Sequence, residues 1–277
     1  MSASVITIGS ALSFALAAAS LLAFASAPAG DKKVVVRDAW GEEVTVHGYD
    51  DEKLDEKWFV HDPERPQPPR AEAEKIRPNL HAQPPEGAIV LFDGSDLEAW
   101  KGGAWAIGDG FMEVRRGGIE TIEHFSSCRL HIEWASPKEV RGEGQGRGNS
   151  GVFFFGRYEI QVLDSWKNAT YADGMAASLY GQRPPDFNAA VEPGEWNSYD
   201  IEFHAPVFDD DGAVTKPARV TVIWNGVKVH DNVELIGATS HRRKASYSRH
   251  GTKGPISLQD HGDPVRFRNI WVAPLAE

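Results

Sequence analysis

Glu159 and Gln161 stand two residues apart in the segment Arg157-Tyr158-Glu159-Ile160-Gln161-Val162-Leu163-Asp164. In an extended strand that spacing sends both side chains to one face. A retaining glycoside-cleaving mechanism needs a second carboxylate about 5 Å away. Leu163 fills the next position of the same parity, and Asp164 falls on the other parity unless a bulge re-aims it. One carboxylate, an amide and a displaced aspartate suit proton abstraction with hydrogen-bonded orientation of a substrate. Glu159 and Asp164 are therefore catalytic candidates, with Gln161 and Arg157 as binding candidates. A second cluster runs from Ser257 to Trp271. Gln259 and His261 share one face there, and Arg266 and Arg268 share the polar face of the next strand. An imidazole can shuttle protons near neutral pH, and a guanidinium can stabilise a developing oxyanion. His261 joins the catalytic candidates, and Gln259, Arg266 and Arg268 the binding candidates. Asn149, on a glycine-rich loop, and Tyr180 complete the binding set. Trp166 and Tyr171 are further rings that could stack on a ligand.

Other motifs carry less. Gly146-x-Gly148-x-x-Gly151 has the form of a dinucleotide fingerprint, but it runs into a strand-like Val152-Phe153-Phe154-Phe155 rather than a helix, so nucleotide binding is not expected. The loop reads instead as a rim that brings Arg147 and Asn149 to a cleft. Asp209-Asp210-Asp211-Gly212 lacks the ligand spacing of a calcium loop and reads as an acidic turn. His241-Arg242-Arg243-Lys244 is a small basic patch, read as a solvated loop or substrate rim. Asn168-Ala169-Thr170 is a glycosylation sequon in form.

Composition narrows the classes. Twenty-nine Lys and Arg against 40 Asp and Glu give the 277-residue chain a formal charge of −11. That disfavours non-specific nucleic-acid binding, which needs a cationic field. A single cysteine, Cys128, excludes an intrachain disulfide and a Cys-cluster metal site. Residues 5–27 form one uncharged apolar run ending in Ala25-Ser26-Ala27. A signal peptide over residues 1–27 is expected, with Ala27-Pro28-Ala29 as an alternative cut and an uncleaved anchor as the competing reading. The mature protein would then be secreted or periplasmic, with no membrane association. Residues 28–86 read as an extended, proline-rich N-terminal arm that wraps the domain or leads to it, with a disordered linker as the competing reading. It holds two short strands around Val34–Val36 and Val44–Val46, and its prolines from Pro63 to Pro85 forbid a central strand or long helix.

From residue 87 to 277 the pattern is period two. Leu130, Ile132 and Trp134 alternate with Arg129, His131 and Glu133, and Tyr199, Ile201 and Phe203 alternate with Asp200, Glu202 and His204. Asn225-Gly226 between apolar runs marks a hairpin. No helical stretch of similar strength intervenes. The expected fold is all-β, an antiparallel two-sheet jelly-roll sandwich whose apolar faces meet inside while polar faces line a cleft.

Several of these segments together resemble one family. Leu91-Phe-Asp-Gly-Ser-Asp-Leu-Glu-Ala-Trp100, Gly148-Asn-Ser-Gly-Val152, Tyr158-Glu-Ile-Gln-Val-Leu-Asp164, Pro193-Gly-Glu-Trp-Asn-Ser-Tyr-Asp200, Asn225-Gly-Val227, Leu258-Gln-Asp-His-Gly262 and Val265-Arg-Phe-Arg-Asn-Ile-Trp271 are similar, in order, to the 3-keto-disaccharide hydrolase family. The resemblance spans about residues 88–275. It implies a concanavalin A-like fold and a carbohydrate substrate already oxidised at the sugar 3-position. It also implies C2 proton abstraction by a base such as Glu159, enolate stabilisation by His261 or an arginine, and loss of the C1 aglycone. No cofactor is expected from it. A divalent metal is left open, with Asp164, Glu159 and His261 as candidate ligands. Two other readings compete: a non-catalytic, lectin-like sugar-binding module, and a glycosidase acting on unoxidised β-glucan.

Overall fold

The computed structural model describes residues 30–275. The expected signal peptide lies outside the described residues. Fifteen strands follow in chain order: β1 (Asp31–Arg37), β2 (Glu43–Tyr49), β3 (Ile89–Phe92), β4 (Trp100–Gly108), β5 (Phe111–Thr121), β6 (Cys128–Ala135), β7 (Ser150–Phe154), β8 (Tyr158–Val162), β9 (Asn197–His204), β10 (Val207–Phe208), β11 (Val214–Lys216), β12 (Arg219–Trp224), β13 (Val227–Glu234), β14 (Ile256–Leu258) and β15 (Arg266–Pro274). The helical elements among these residues are single 3₁₀ turns.

The ladder runs β13-β12-β9-β6-β15-β5-β14-β7-β8, with β3 on β15 and β4 on β5, every pair antiparallel. It curls into a jelly-roll sandwich, so that its far ends meet across the core. Phe154 of β7 stacks on Phe203 of β9, with centroids 4.4 Å apart. The Tyr199 hydroxyl on β9 donates to the Gln161 carbonyl on β8 at 2.8 Å. The two-layer sandwich read from period-two patterning is thus one continuous antiparallel sheet folded on itself, which leaves fewer free edges. Trp134, Trp224, Tyr158, Tyr199 and Phe267 are fully buried between the layers. Asn225 and Gly226, at φ 51° and 80°, make the left-handed turn that joins β12 to β13.

The N-terminal segment is docked along its length. Hairpin β1–β2 pairs Asp31 with Tyr49 through Arg37 with Glu43. Beyond it, Leu54, Val60 and His61 are buried. The chain then crosses the sandwich without joining a strand. Ala71 N–H donates to the Asn188 carbonyl, Arg77 N–H to the Asn225 carbonyl, and Asn79 N–H to the Ser198 hydroxyl. Prolines remove donors from this stretch, so the remaining N–H groups bond to loops and side chains instead of a ladder. Cys128 is buried in the core, which pushes its thiol up to about 12. No helix among the described residues is long and apolar enough to cross a membrane.

Candidate active site

The outer face of β7 and β8, with the turn after β14, forms the floor of a cavity of about 910 Å³, near the upper end for small-molecule sites. Tyr158, Ile160 and Val162 of β8 point into the core, so Glu159 and Gln161 point into the cavity. Across the ladder, Phe153 pairs with Glu159 and Gly151 with Gln161. A Cβ at Gly151 would stand 2.5 Å from Glu159 Oε1, so only glycine leaves the carboxyl its place.

Glu159 is 5% exposed. Among the described residues no protein donor is recorded to its carboxyl oxygens. With nothing to offset the loss of water, burial pushes its pKa up to about 8. Beside it lies a floor of amides. The Gln145 side chain donates to the Thr170 hydroxyl at 3.0 Å and the Gly174 carbonyl at 2.8 Å. Gln161 donates to Gln145 Oε1 at 3.1 Å, and Asn149 to the Gln145 carbonyl at 2.7 Å. These bonds fix which end of each amide is the oxygen. Asn149 Oδ1 and Gln161 Oε1 are then left buried with no partner. Two orphaned acceptors in a cavity floor are costly unless a ligand or water supplies the hydrogen.

Tyr180, Tyr171 and His241 line one side. The Tyr180 hydroxyl lies 2.8 Å from that of Tyr171 and 3.2 Å from His241 Nδ1. Burial lifts both phenols above their ordinary range and depresses His241. Gln259 and His261 reach the same cavity from the turn after β14. The Gln259 N–H bonds to the Gly151 carbonyl, and Asp260 braces the turn by accepting from the Gly117 and Gly262 N–H groups.

Of the catalytic and binding candidates from sequence, Glu159, Gln161, Asn149, Tyr180, Gln259 and His261 share this cavity, as does the ring of Tyr171. Four of those candidates do not. The carboxyl of Asp164 is turned away: its Oδ2 takes 2.7 Å ion-pair contact from Arg147 Nε, and its Oδ1 accepts from the Trp166 N–H. It anchors the glycine-rich loop, and no bulge re-aims it. Burial raises its pKa, with Arg147 opposing. Arg157 has the parity of Glu159 but precedes β8 in a turn, and its guanidinium bonds Ser248. Arg266 and Arg268 belong to a different face of the sheet. Arg266 lies over Phe111 and Trp196 and donates to the Gly194 carbonyl, while Arg268 lies over Trp196 and pairs with Glu133 at 2.7 Å. Sharing polar parity does not mean sharing a site once a sheet curls. Trp166 packs on Trp40 outside the cavity.

Sequence reading missed Gln145, whose loop glycines drew attention to the wrong chemistry, and read His241 only as rim. It also missed Lys33, Thr45, His47 and Tyr49 of the hairpin, which line the cavity wall. The sequon asparagine is engaged: Asn168 donates to the Gly144 and Asp164 carbonyls. Among the described residues no three His, Cys, Asp or Glu side chains gather as a metal-holding group. The removal of Asp164 from the cavity breaks the trio read from sequence.

Residues 87–273 match the model of the 3-keto-alpha-glucoside-1,2-lyase-like domain. A 3-keto-disaccharide hydrolase of Bacteroides thetaiotaomicron is 25% identical over 245 residues, covering 69% of this chain and 79% of the relative. A solved structure from Parabacteroides distasonis, titled a "putative glycosyl hydrolase", is 44% identical with a TM-score of 0.67, covering 69% of this chain and 84% of that one. A second structure from the same organism, at 20% identity and TM-score 0.51, shares the fold. The protein is a carbohydrate-active, hydrolase-like member of this group, and the chain belongs to the 3-keto-alpha-glucoside-1,2-lyase-like family.

Proposed function

We propose that the protein cleaves glycosides oxidised at C3, with Glu159 as the base that removes the C2 proton. The observation that carries this reading is a lone, buried carboxyl with no recorded protein donor, flanked by two amide oxygens that also lack partners. A ketone acidifies the neighbouring C–H, so the base needs strength rather than a second carboxylate. A carboxylate with a pKa of about 8 is a far stronger base than an ordinary glutamate. In the step, the C2 proton passes to Glu159. The C2–H electron pair forms an enolate and then a C1=C2 bond as the C1–O bond breaks. The departing oxygen takes a proton from the Tyr180–His241 pair or from the newly protonated Glu159. Water then adds across C1=C2, giving net hydrolysis. His261 and Tyr180 are the donors at hand for the enolate oxygen, in place of the arginines.

The test is product analysis of the purified protein with a 3-keto glucoside and with its unoxidised parent, in deuterium oxide. Cleavage of the keto sugar alone, with deuterium at C2, supports the mechanism. Cleavage of the parent alone defeats it, and sugar binding without cleavage of either points to a lectin.

A further inference from the structure

The sandwich supplies the floor of the cavity, but hairpin β1–β2 supplies a wall, and the hairpin lies outside residues 87–273 that match the family. Its two faces differ. One carries Lys32, Val34, Val36, Val44, Val46 and Gly48, all at least partly buried. Gly48 is pressed against the His61 carbonyl and Pro63, too closely for any side chain. The other face pairs Lys33 with His47 and Asp31 with Tyr49, and Lys33, Thr45, His47 and Tyr49 of that face line the cavity.

Both ends of the hairpin are held. At the turn, Trp40 packs edge-on against Trp166 at 5.2 Å, and the Arg70 guanidinium lies over both rings, 5.1 and 4.9 Å from their centroids. At the other end Tyr49 packs on His241 at 5.7 Å and on Tyr171 at 6.2 Å. The Arg242 guanidinium covers Tyr49 at 3.9 Å and is itself paired with Asp51. The middle, with Lys33 and His47 side by side, is left facing the cavity. No carboxylate is recorded in ion-pair contact with Lys33 among the described residues, whereas its neighbour Lys32 is paired with Glu64 at 3.1 Å. A strand pinned at both ends over seven residues spans roughly 20 Å, longer than one sugar ring.

We propose that this hairpin is the leaving-group subsite: Lys33 and His47 donate hydrogen bonds to the hydroxyls of a second sugar ring. This rests on the reading of Glu159 as the group that engages the oxidised ring on the floor. The occupant is a hydroxyl-rich sugar because Lys33, Thr45 and His47, which line the cavity from this wall, all carry hydrogen-bond donors. The hairpin therefore selects disaccharides over glycosides with small leaving groups.

The experiment compares wild type, Lys33→Ala/His47→Ala and the control Lys32→Ala on the hairpin's opposite face. Each is assayed for kcat/KM on a 3-keto disaccharide and on methyl 3-keto-glucoside. Each is also titrated calorimetrically with the two unoxidised parents. The double variant should reduce the disaccharide-to-methyl preference about tenfold, the loss expected for two hydrogen bonds, and Lys32→Ala should not change it. An unchanged preference, or the same change in Lys32→Ala, overturns the proposal while leaving cleavage by Glu159 standing. If wild type cleaves neither keto substrate, the proposed reaction fails, and the calorimetric preference alone decides the subsite by the same criteria.

Discussion

Among the described residues two glutamates lie almost fully buried, and their surroundings are opposite. Glu133, on β6, is 0% exposed. Its carboxylate pairs with Arg268 Nε at 2.7 Å and accepts from Asn269 Nδ2 at 2.8 Å and from the His81 N–H, with His131 3.7 Å away. Burial works against its charge, but these donors outweigh it and hold its pKa down at about 2. His131 is stacked on Trp271 and bonded to Asp200 at 2.7 Å; burial opposes its charge too, yet the two carboxylates raise its pKa. The cluster clamps the segment around His81 and Ala82 onto the sheet. Glu159 has none of these partners. A saturated buried carboxylate fastens a structure together, whereas an unsaturated one is poised to act on something that arrives. Stability is spent in the second case and gained in the first.

The comparison breaks most sharply on a pair of matched substitutions. Glu159→Gln should lower kcat on a 3-keto glucoside by about 10²–10⁴ and leave the fold intact, since a neutral amide no longer resists burial. Glu133→Gln should do the reverse. It strands Arg268 and His131 and should cost about 3–5 kcal/mol, a fall of about 10 °C in Tm, with turnover per folded molecule retained. Calorimetry and steady-state kinetics on both variants check this. Loss of turnover in Glu133→Gln at full folding, or a destabilised Glu159→Gln, would erase the distinction.

The sequence carried the strand pattern, the Asn225-Gly226 turn and the parity of Glu159 with Gln161, because period two and left-handed turns are local properties of the chain. It could not separate Glu159 from Glu133, since both sit on polar faces of alternating strands. What separates them is the curl of the sheet and the path of the N-terminal arm, which brings His81 to one and Lys33 and His47 to the other cavity's wall. Arg266 and Arg268 were drawn to the wrong cluster for that reason. Asp164 was read as a displaced catalytic group because its ion partner, Arg147, lies across a loop of glycines with no periodicity to read.

The two carboxyls also predict opposite pH limbs. Glu159 stays protonated in the folded protein up to about 8, against an ordinary value of 4.5. The unfolded chain releases that proton first, so this group lowers stability as pH rises from about 4.5 to 8, and no further above 8. Glu133 stays ionised in the folded protein down to about 2, against the same 4.5. The unfolded chain takes up that proton first, so its contribution is lost as pH falls from about 4.5 to 2. Glu159→Gln should flatten the decline in Tm as pH rises from about 4.5 to 8, and Glu133→Gln should weaken the decline as pH falls from about 4.5 to 2. In kinetics, kcat/KM should rise about tenfold per pH unit below 8 and level off above it, because only the ionised Glu159 is a base.

The amides beside each carboxyl give the smallest and finest discrimination. Asn269 gives both of its recorded side-chain bonds to the protein, to Glu133 and to the Ala82 carbonyl. Gln161 donates to Gln145 and the Gly174 carbonyl, but its Oε1 has no partner. Replacing Asn269, which sits at φ 45°, with alanine removes internal bonds and strains a left-handed backbone position, and should lower Tm while KM holds. Gln161→Met keeps the volume and loses the free acceptor. If that oxygen awaits a sugar hydroxyl, KM for the keto glycoside should rise about tenfold with a smaller change in kcat, because the bond orients the substrate before the proton moves. A Gln161→Met protein with unaltered KM would mean the orphaned oxygen serves only water, and the floor of the cavity would then owe its specificity to Glu159 and Asn149 alone.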